Sequence, residues 1–205
     1  MTLLQLKTSI FGDAGQSSRL ADAFVARRRA TEPRTEIIVR NLARDPVPHL
    51  TAERFGALLA KSEARTAEQR AVVAASDVLI AELKRADTIV LGLPMYNFGI
   101  PSVLKAYFDH IARAGVTFRY TENGPVGMLT GKKAYVFATR GGLYAGTPRD
   151  LQTAYVRDFL GFLGITDVEF VYAEGLAISD ADREAALAHA AIEIDRLGTR
   201  ERVAA

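Results

Sequence analysis

Apolar positions along this chain follow two alternating periods. Four short apolar runs, Thr2 to Thr8, Thr88 to Leu93, Lys133 to Ala138 and Val168 to Ala173, read as buried strands, those at 88–93 and 134–138 almost without alternation, and a weaker fifth covers Thr35 to Val39. Runs of this kind suit parallel strands covered on both faces. Between them the period becomes helical. Leu20 and Phe24 stand four apart, and Thr66-Ala67-Glu68-Gln69 has the form of a capping box opening a helix to about Arg85. Val103, Leu104, Tyr107, Phe108 and Ile111 share one helical face, while Lys105, Asp109 and Arg113 fall together on another, expected in solvent. Thr147 before Pro148 predicts an N-cap and first position for a helix to about Leu163. Leu187, Ala190, Ala191, Ile194 and Leu197 predict an amphipathic last helix from about Asp180 to Leu197.

Strands alternating with helices imply βαβ units, right-handed crossovers and one parallel sheet. Five strands fit a flavodoxin-like α/β three-layer sandwich, strand order 2-1-3-4-5, with helices on both faces. No repeat or linker interrupts the 205 residues, so residues 1–205 read as one domain. Gly115 to Gly131 reads as a hairpin-like excursion with Asn123-Gly124 as its turn signal. Asn41 to Arg65, with Pro46, Pro48 and His49, is the least regular stretch and a place where a loop could shape a substrate pocket.

Composition narrows the chemistry. The absence of cysteine excludes disulfides, zinc–thiolate sites and a cysteine nucleophile. A net charge of +2 is too small to indicate nucleic acid, and Arg27-Arg28-Arg29 is expected to be a solvated face near a helix end, where cations suit the dipole. No signal-like region precedes the first strand and no apolar run is long enough for a transmembrane helix, so a cytoplasmic protein without membrane association is expected.

In an open α/β sheet, ligands bind beyond the carboxyl ends of the strands where strand order reverses. Three segments leave strand ends there. The first contains Ser9, Gly12, Gly15, Gln16, Ser17 and Ser18 before a helix, leaving N–H groups at the positive end of a dipole. Such a turn suits a phosphate, although, taken by itself, simple N-capping by Ser17 or Ser18 accounts for it slightly better. The second is Met95-Tyr96-Asn97-Phe98-Gly99 between Pro94 and Pro101, unusually apolar for a loop. On residue type alone, Met95 and Phe98 serve as satellite core as readily as cofactor wall. The third is Thr139-Arg140-Gly141-Gly142, whose glycines allow close approach of a flat ligand. Together they suit a planar phosphorylated heteroaromatic, with FMN the natural candidate.

Other signatures fail. No G-x-G-x-x-G follows a strand, and Gly127 to Lys133 has the wrong spacing and context for a P-loop. There is no G-x-S-x-G elbow, and His49, His110 and His189 lack metal-ligand spacing; the latter two read as packing or surface residues.

The blocks "MYNF" at 95–98, "ARAGVTFRYTENGPVG" at 112–127, "TGKKA" at 130–134, "RGG" at 140–142 and "FLGFLGITDVEFVYAEG" at 159–175 resemble the FMN-dependent NADH:azoreductases, which are also FMN-dependent NADH:quinone oxidoreductases. The resemblance runs from about Leu4 to Leu176. It implies noncovalent FMN with its phosphate near Ser9, Gly15, Gln16 and Ser17. The ring would contact Met95, Tyr96, Asn97 and Phe98 on one loop and Thr139, Arg140, Gly141 and Gly142 on the other. It further implies NADH as co-substrate, ping-pong reduction of quinones and azo compounds, and no obligate acid or base from the protein. Members are homodimers with the pocket at the subunit interface, which would place Tyr120 and Phe162 on the substrate side from the neighbouring chain. Two departures are Gly15 and Thr139, where the family often has serine. A non-enzymatic electron carrier is the alternative, although this slightly basic chain lacks the hydroxyl-rich phosphate run of such carriers.

Overall fold

The computed structural model describes residues 1–200. In chain order the elements are β1 (Thr2–Lys7), α1 (Gln16–Thr31), β2 (Glu36–Asn41), α2 (Ala52–Leu59), α3 (Ala67–Arg85), β3 (Thr88–Pro94), α4 (Ser102–Ile111), β4 (Phe118–Thr121), β5 (Gly124–Gly127), β6 (Lys133–Thr139), α5 (Leu151–Phe162), β7 (Asp167–Ala173) and α6 (Asp180–Arg200). Five strands form one parallel sheet in the order β2-β1-β3-β6-β7. With the β4–β5 hairpin set aside, this is the expected 2-1-3-4-5 order.

The pleat divides the core into two layers. Leu3, Val90, Tyr135, Phe137 and Val171 meet Leu20 and Phe24 of α1 and Ile194 and Leu197 of α6. Leu4, Ile89, Leu91 and Val136 meet α3, α4 and α5 on the other face. All seven residues of β3 are buried, which explains its unbroken apolar run. Phe24 lies 4.5 Å from Tyr135 between ring centroids, and Phe108 stacks on Phe159 at 4.0 Å. At Gly92, an added Cβ would lie 3.0 Å from Ser17 O, so the missing side chain lets α1 approach the sheet beside the site.

Several local expectations change. The capping box is present, with Gln69 N–H donating to Thr66 Oγ1 and Gln69 Oε1 accepting from Thr66 N–H. The helix expected from Pro148 starts instead at Leu151, capped by Asp150, which accepts from Thr153 N–H at 3.1 Å. Thr147 is taken up by a turn, donating to Tyr144 O through both its N–H and its hydroxyl. Arg28 is buried, because helical spacing puts it on the face of Ala21, Phe24 and Val25; it pairs with Glu32 at 3.0 Å. Arg27 reaches Asp195 of α6, so the three-arginine run is not one solvated face. Arg113 likewise leaves solvent to bind Asp77 and Ser76 of α3. In α6, Ala190, Ile194 and Leu197 are buried while Ala191 faces outward. The β4–β5 turn is centred one residue earlier than expected, with Thr121 opposite Gly124. The 41–65 stretch contains α2, capped by Thr51.

His110 is a packing residue, as expected. Its Nε2 lies 3.0 Å from Pro48 O, anchoring the 46–48 segment to α4. Burial lowers its basicity, reinforced by Arg54 and opposed by the Pro48 carbonyl and Asp109. The folded state therefore binds a proton less readily than the unfolded chain. His110's contribution is full above the ordinary value of 6.5 and declines as pH falls toward the lowered folded value. Denaturant melts at pH 7.5 and 5.5 are expected to show lower stability at the acidic value, and His110→Phe is expected to shrink that difference. An equal difference in both proteins would exclude His110 as its source.

Candidate cofactor and active site

The loops after β1, β3 and β6 emerge side by side because these strands are neighbours in one parallel sheet. Ser9, Gly15 and Gln16 from the first, Met95 and Tyr96 from the second, and Thr139, Arg140 and Gly141 from the third line a single cleft. Pro94, which frames the second loop, lines it too, as do Phe11 and Leu176, which were not singled out by sequence. Leu176 follows β7, and only the β6–β7 pairing brings it here.

In the first loop no side chain caps the start of α1. A short 3-10 turn at Gly12–Ala14 leads to Gly15, the N-cap of α1, which supplies no side-chain cap. Ser17 and Ser18 lie inside the first helical turn, so neither is the N-cap. Both are buried, and neither hydroxyl has a hydrogen-bond partner among the described residues. Neither serine lines the cleft, whereas Gly15 and Gln16 do, so the feature that suits an anion there is the uncapped helix start. Gly15 touches Ser9 closely: an added Cβ would lie 2.1 Å from Ser9 Oγ and 2.6 Å from Ser9 Cβ. Glycine at this departure from the family pattern is therefore matched to the Ser9 position.

The second loop is a tight reversal in which Tyr96 and Gly99 exchange both backbone hydrogen bonds, at 3.2 and 3.0 Å. Its central residues, Asn97 and Phe98, have φ of 50° and 66°. Asparagine tolerates this region, whereas phenylalanine is held there at a cost of about 1–2 kcal/mol. The Tyr96 hydroxyl lies 3.2 Å from Ser9 Oγ and accepts from Ile10 N–H at 3.2 Å, joining this loop to the first. Asn97 and Phe98 do not line the three-loop cleft. They front an adjoining apolar cavity of about 530 Å³ with His49, Ile100, Leu151 and Tyr155.

Arg140 contributes backbone to the cleft and turns its guanidinium inward. The side chain is fully buried, 2.7 Å from Asp150 and 3.0 Å from Glu174. Burial would raise the Asp150 carboxyl, but hydrogen bonds from Arg140 and Thr153 hold it below its ordinary value. Glu174 also accepts from the N–H groups of Tyr144 and Ala145, each at 2.9 Å. Gly142 packs against the Tyr144 ring beside the cleft. The carbonyls of Arg140, Gly141 and Gly142 accept from Leu176, Ala177 and Gly175. Glu174 and Tyr144 carry no separate sequence signal, since their role depends on this pairing.

Tyr120 and Phe162 lie elsewhere, in an aromatic group around Phe118 with centroid distances of 5.4 and 4.3 Å. Tyr120 is 75% exposed.

A family model described as having a flavodoxin-like fold matches residues 1–197. An FMN-dependent NADH:quinone oxidoreductase of Cellvibrio japonicus is 57% identical over 192 residues, covering 94% of this chain and 96% of the relative. One of the same name from Alcanivorax borkumensis is 54% identical, covering 95% and 98%. The chain belongs to the FMN-dependent NADH:quinone oxidoreductase family. A crystal structure of an FMN-dependent NADH-azoreductase from Bacillus anthracis in complex with FMN superposes with a TM-score of 0.89 at 29% identity, covering 97% of this chain and 98% of that one.

For this family member, Gly15→Ala is expected to displace Ser9 and destabilise the first loop by about 1–3 kcal/mol. Ser9→Ala should not rescue it, because Ser9 Cβ is itself in the way, whereas Ser9→Gly should. Thermal melts of the single and double variants measure this. Rescue by Ser9→Ala would mean that only the hydroxyl constrains Gly15.

Proposed function

We propose that this protein is an FMN-dependent oxidoreductase that uses NADH to reduce quinones and azo compounds. The observation carrying the reading is the uncapped first turn of α1, whose Gly15 and Gln16 line the cleft where two further loops converge. Bound FMN would supply the two-electron chemistry, accepting hydride from NADH and delivering reducing equivalents to the acceptor.

The residues of the chain bind and orient. The first-turn N–H groups and the Ser9, Gln16 and Ser17 side chains would hold the phosphate. Met95 and Tyr96 would form one wall, and Thr139 with the backbone of Arg140, Gly141 and Gly142 the opposite floor. The N–H groups of Asn97, Gly141 and Gly142 make no hydrogen bond to protein among the described residues, leaving them as donors for the polar edge of the ring. The cleft is lined by hydroxyl, amide, thioether and aromatic side chains and by backbone, groups that position a bound ring.

We further propose a cytoplasmic homodimer in which Tyr120 and Phe162 of one chain front the substrate side of its partner's cleft. No described helix is long and apolar enough to cross a membrane. Tyr120, Phe55 and Leu59 are each more than half exposed around one cavity, a concentration of apolar surface that suits a second copy. Tyr120→Ala is expected to raise the quinone KM severalfold and leave FMN affinity unchanged; an unchanged KM would remove Tyr120 from the substrate side.

An anaerobic titration tests the activity. After FMN loading and removal of free flavin, NADH is expected to bleach the oxidised-flavin absorbance fully, and a quinone to restore it. Retained flavin left oxidised by NADH would instead identify an electron carrier. A colourless protein would refute the site.

A further inference from the structure

Gln152 lies in the first turn of α5 and is 1% exposed. Its Nε2 donates to Pro94 O at 3.0 Å and to Gly99 O at 2.9 Å, the carbonyls that bracket the Met95–Phe98 reversal. Both partners are acceptors, which fixes the amide nitrogen toward them. Its Oε1 is buried without a partner among the described residues, so the side chain is placed here for its donors at some cost to its acceptor.

The same helical turn holds the other flavin-facing loop. Asp150 accepts from Arg140 Nη2 at 2.7 Å, and Thr153 Oγ1 accepts from it at 3.1 Å. Asp150 is also the N-cap of α5, so the grip on Arg140 and the start of the helix share one carboxylate. Four residues of sequence thus contact the loops after β3 and β6, which stand more than 40 residues apart in the chain. The reversal needs such support, because Phe98 adopts a backbone conformation that phenylalanine rarely does. Two amide–carbonyl bonds are of the same order as that strain.

We propose that the first turn of α5 is a clamp setting the separation of the two loops that face the flavin, with Gln152 and Asp150 as positioning residues for FMN. This rests on the function proposed above. The clamp acts through the backbone: Gln152 holds the Tyr96–Gly99 reversal, and Asp150 holds Arg140, whose neighbours Gly141 and Gly142 present N–H groups.

Gln152→Met keeps the buried volume and removes both donors. Fluorescence titration of the apoprotein with FMN is expected to give a dissociation constant raised about tenfold or more. Amide hydrogen exchange on the apoprotein is the second readout. Tyr96 and Gly99 are expected to lose protection in the variant, while Thr153, capped by Asp150, keeps it. A general structural role would instead loosen α5 together with the reversal. Unchanged FMN affinity and unchanged Tyr96 and Gly99 protection, with wild type binding FMN normally, would overturn the clamp and leave the function standing. Wild type that fails to bind FMN would overturn both. Should Gln152→Met not fold, wild-type exchange decides: Tyr96 and Gly99 exchanging as slowly as Thr153 supports the clamp, and exchange orders of magnitude faster refutes it.

Discussion

The reversal of strand order at β1 is the constraint on which the site depends. β1 pairs with β2 on one side and β3 on the other. The chain leaves β1 through α1 on one face of the sheet, while α3, α4 and α5 pack on the opposite face. Segments departing from β1 and β3 therefore diverge, and parallel pairing keeps their ends level. A cleft opens there before any particular side chain is chosen for it. Gly92, on β3 at that junction, lets α1 settle against the sheet, so the uncapped start of the helix arrives at the cleft. The position of that helix start is a consequence of topology and one missing Cβ.

Arg140 converts that opening into a defined shape. A fully buried guanidinium between two carboxylates gains little net stability, because desolvation opposes the Coulombic attraction. What the arrangement fixes is geometry. Asp150 binds Arg140 to the start of α5, and Glu174 binds it to the end of β7 while accepting from Tyr144 and Ala145. Removing either carboxylate would leave an undercompensated buried charge, a change of about 3–5 kcal/mol in comparable pairs. The loop after β6 is thereby held from two directions, and its glycines keep a consistent orientation.

Sequence periodicity made the sheet, its order and five of the helices legible, because burial on both faces writes itself into unbroken apolar runs. The three-loop cleft was legible as well, through Ser9, Gly15, Gln16, Met95, Tyr96, Thr139 and Gly141, since strand order brings strand ends together. Direction was harder to read. Arg140 was placed among the flavin contacts, but an arginine beside a cleft reads the same whether its head points in or out; only Asp150 and Glu174, 10 and 34 residues away, decide it. Arg28 was hidden for a related reason, because a run of three cations suggests solvent while helical geometry turns the middle one toward Phe24. Gln152 left no trace, since an amide in an amphipathic helix has no pattern until the carbonyls of Pro94 and Gly99 lie beside it.

The same limit explains the Asn97-Phe98 reversal. Two central residues with positive φ ordinarily call for Asn-Gly, and a glycine at the second position would adopt φ of 66° without strain. Phenylalanine there works against local preference, and local preference is what sequence reading follows. What the ring gains is position: it is 49% exposed, edge-on to Tyr144 at 5.9 Å, and fronts the apolar cavity beside the three-loop cleft. Glycine would relax the backbone and remove that surface. Strain kept where its relief would cost a side chain beside the cleft is the pattern expected of a functional position rather than a packing one. The departure from turn chemistry at Phe98 is thus what the role proposed for this loop predicts.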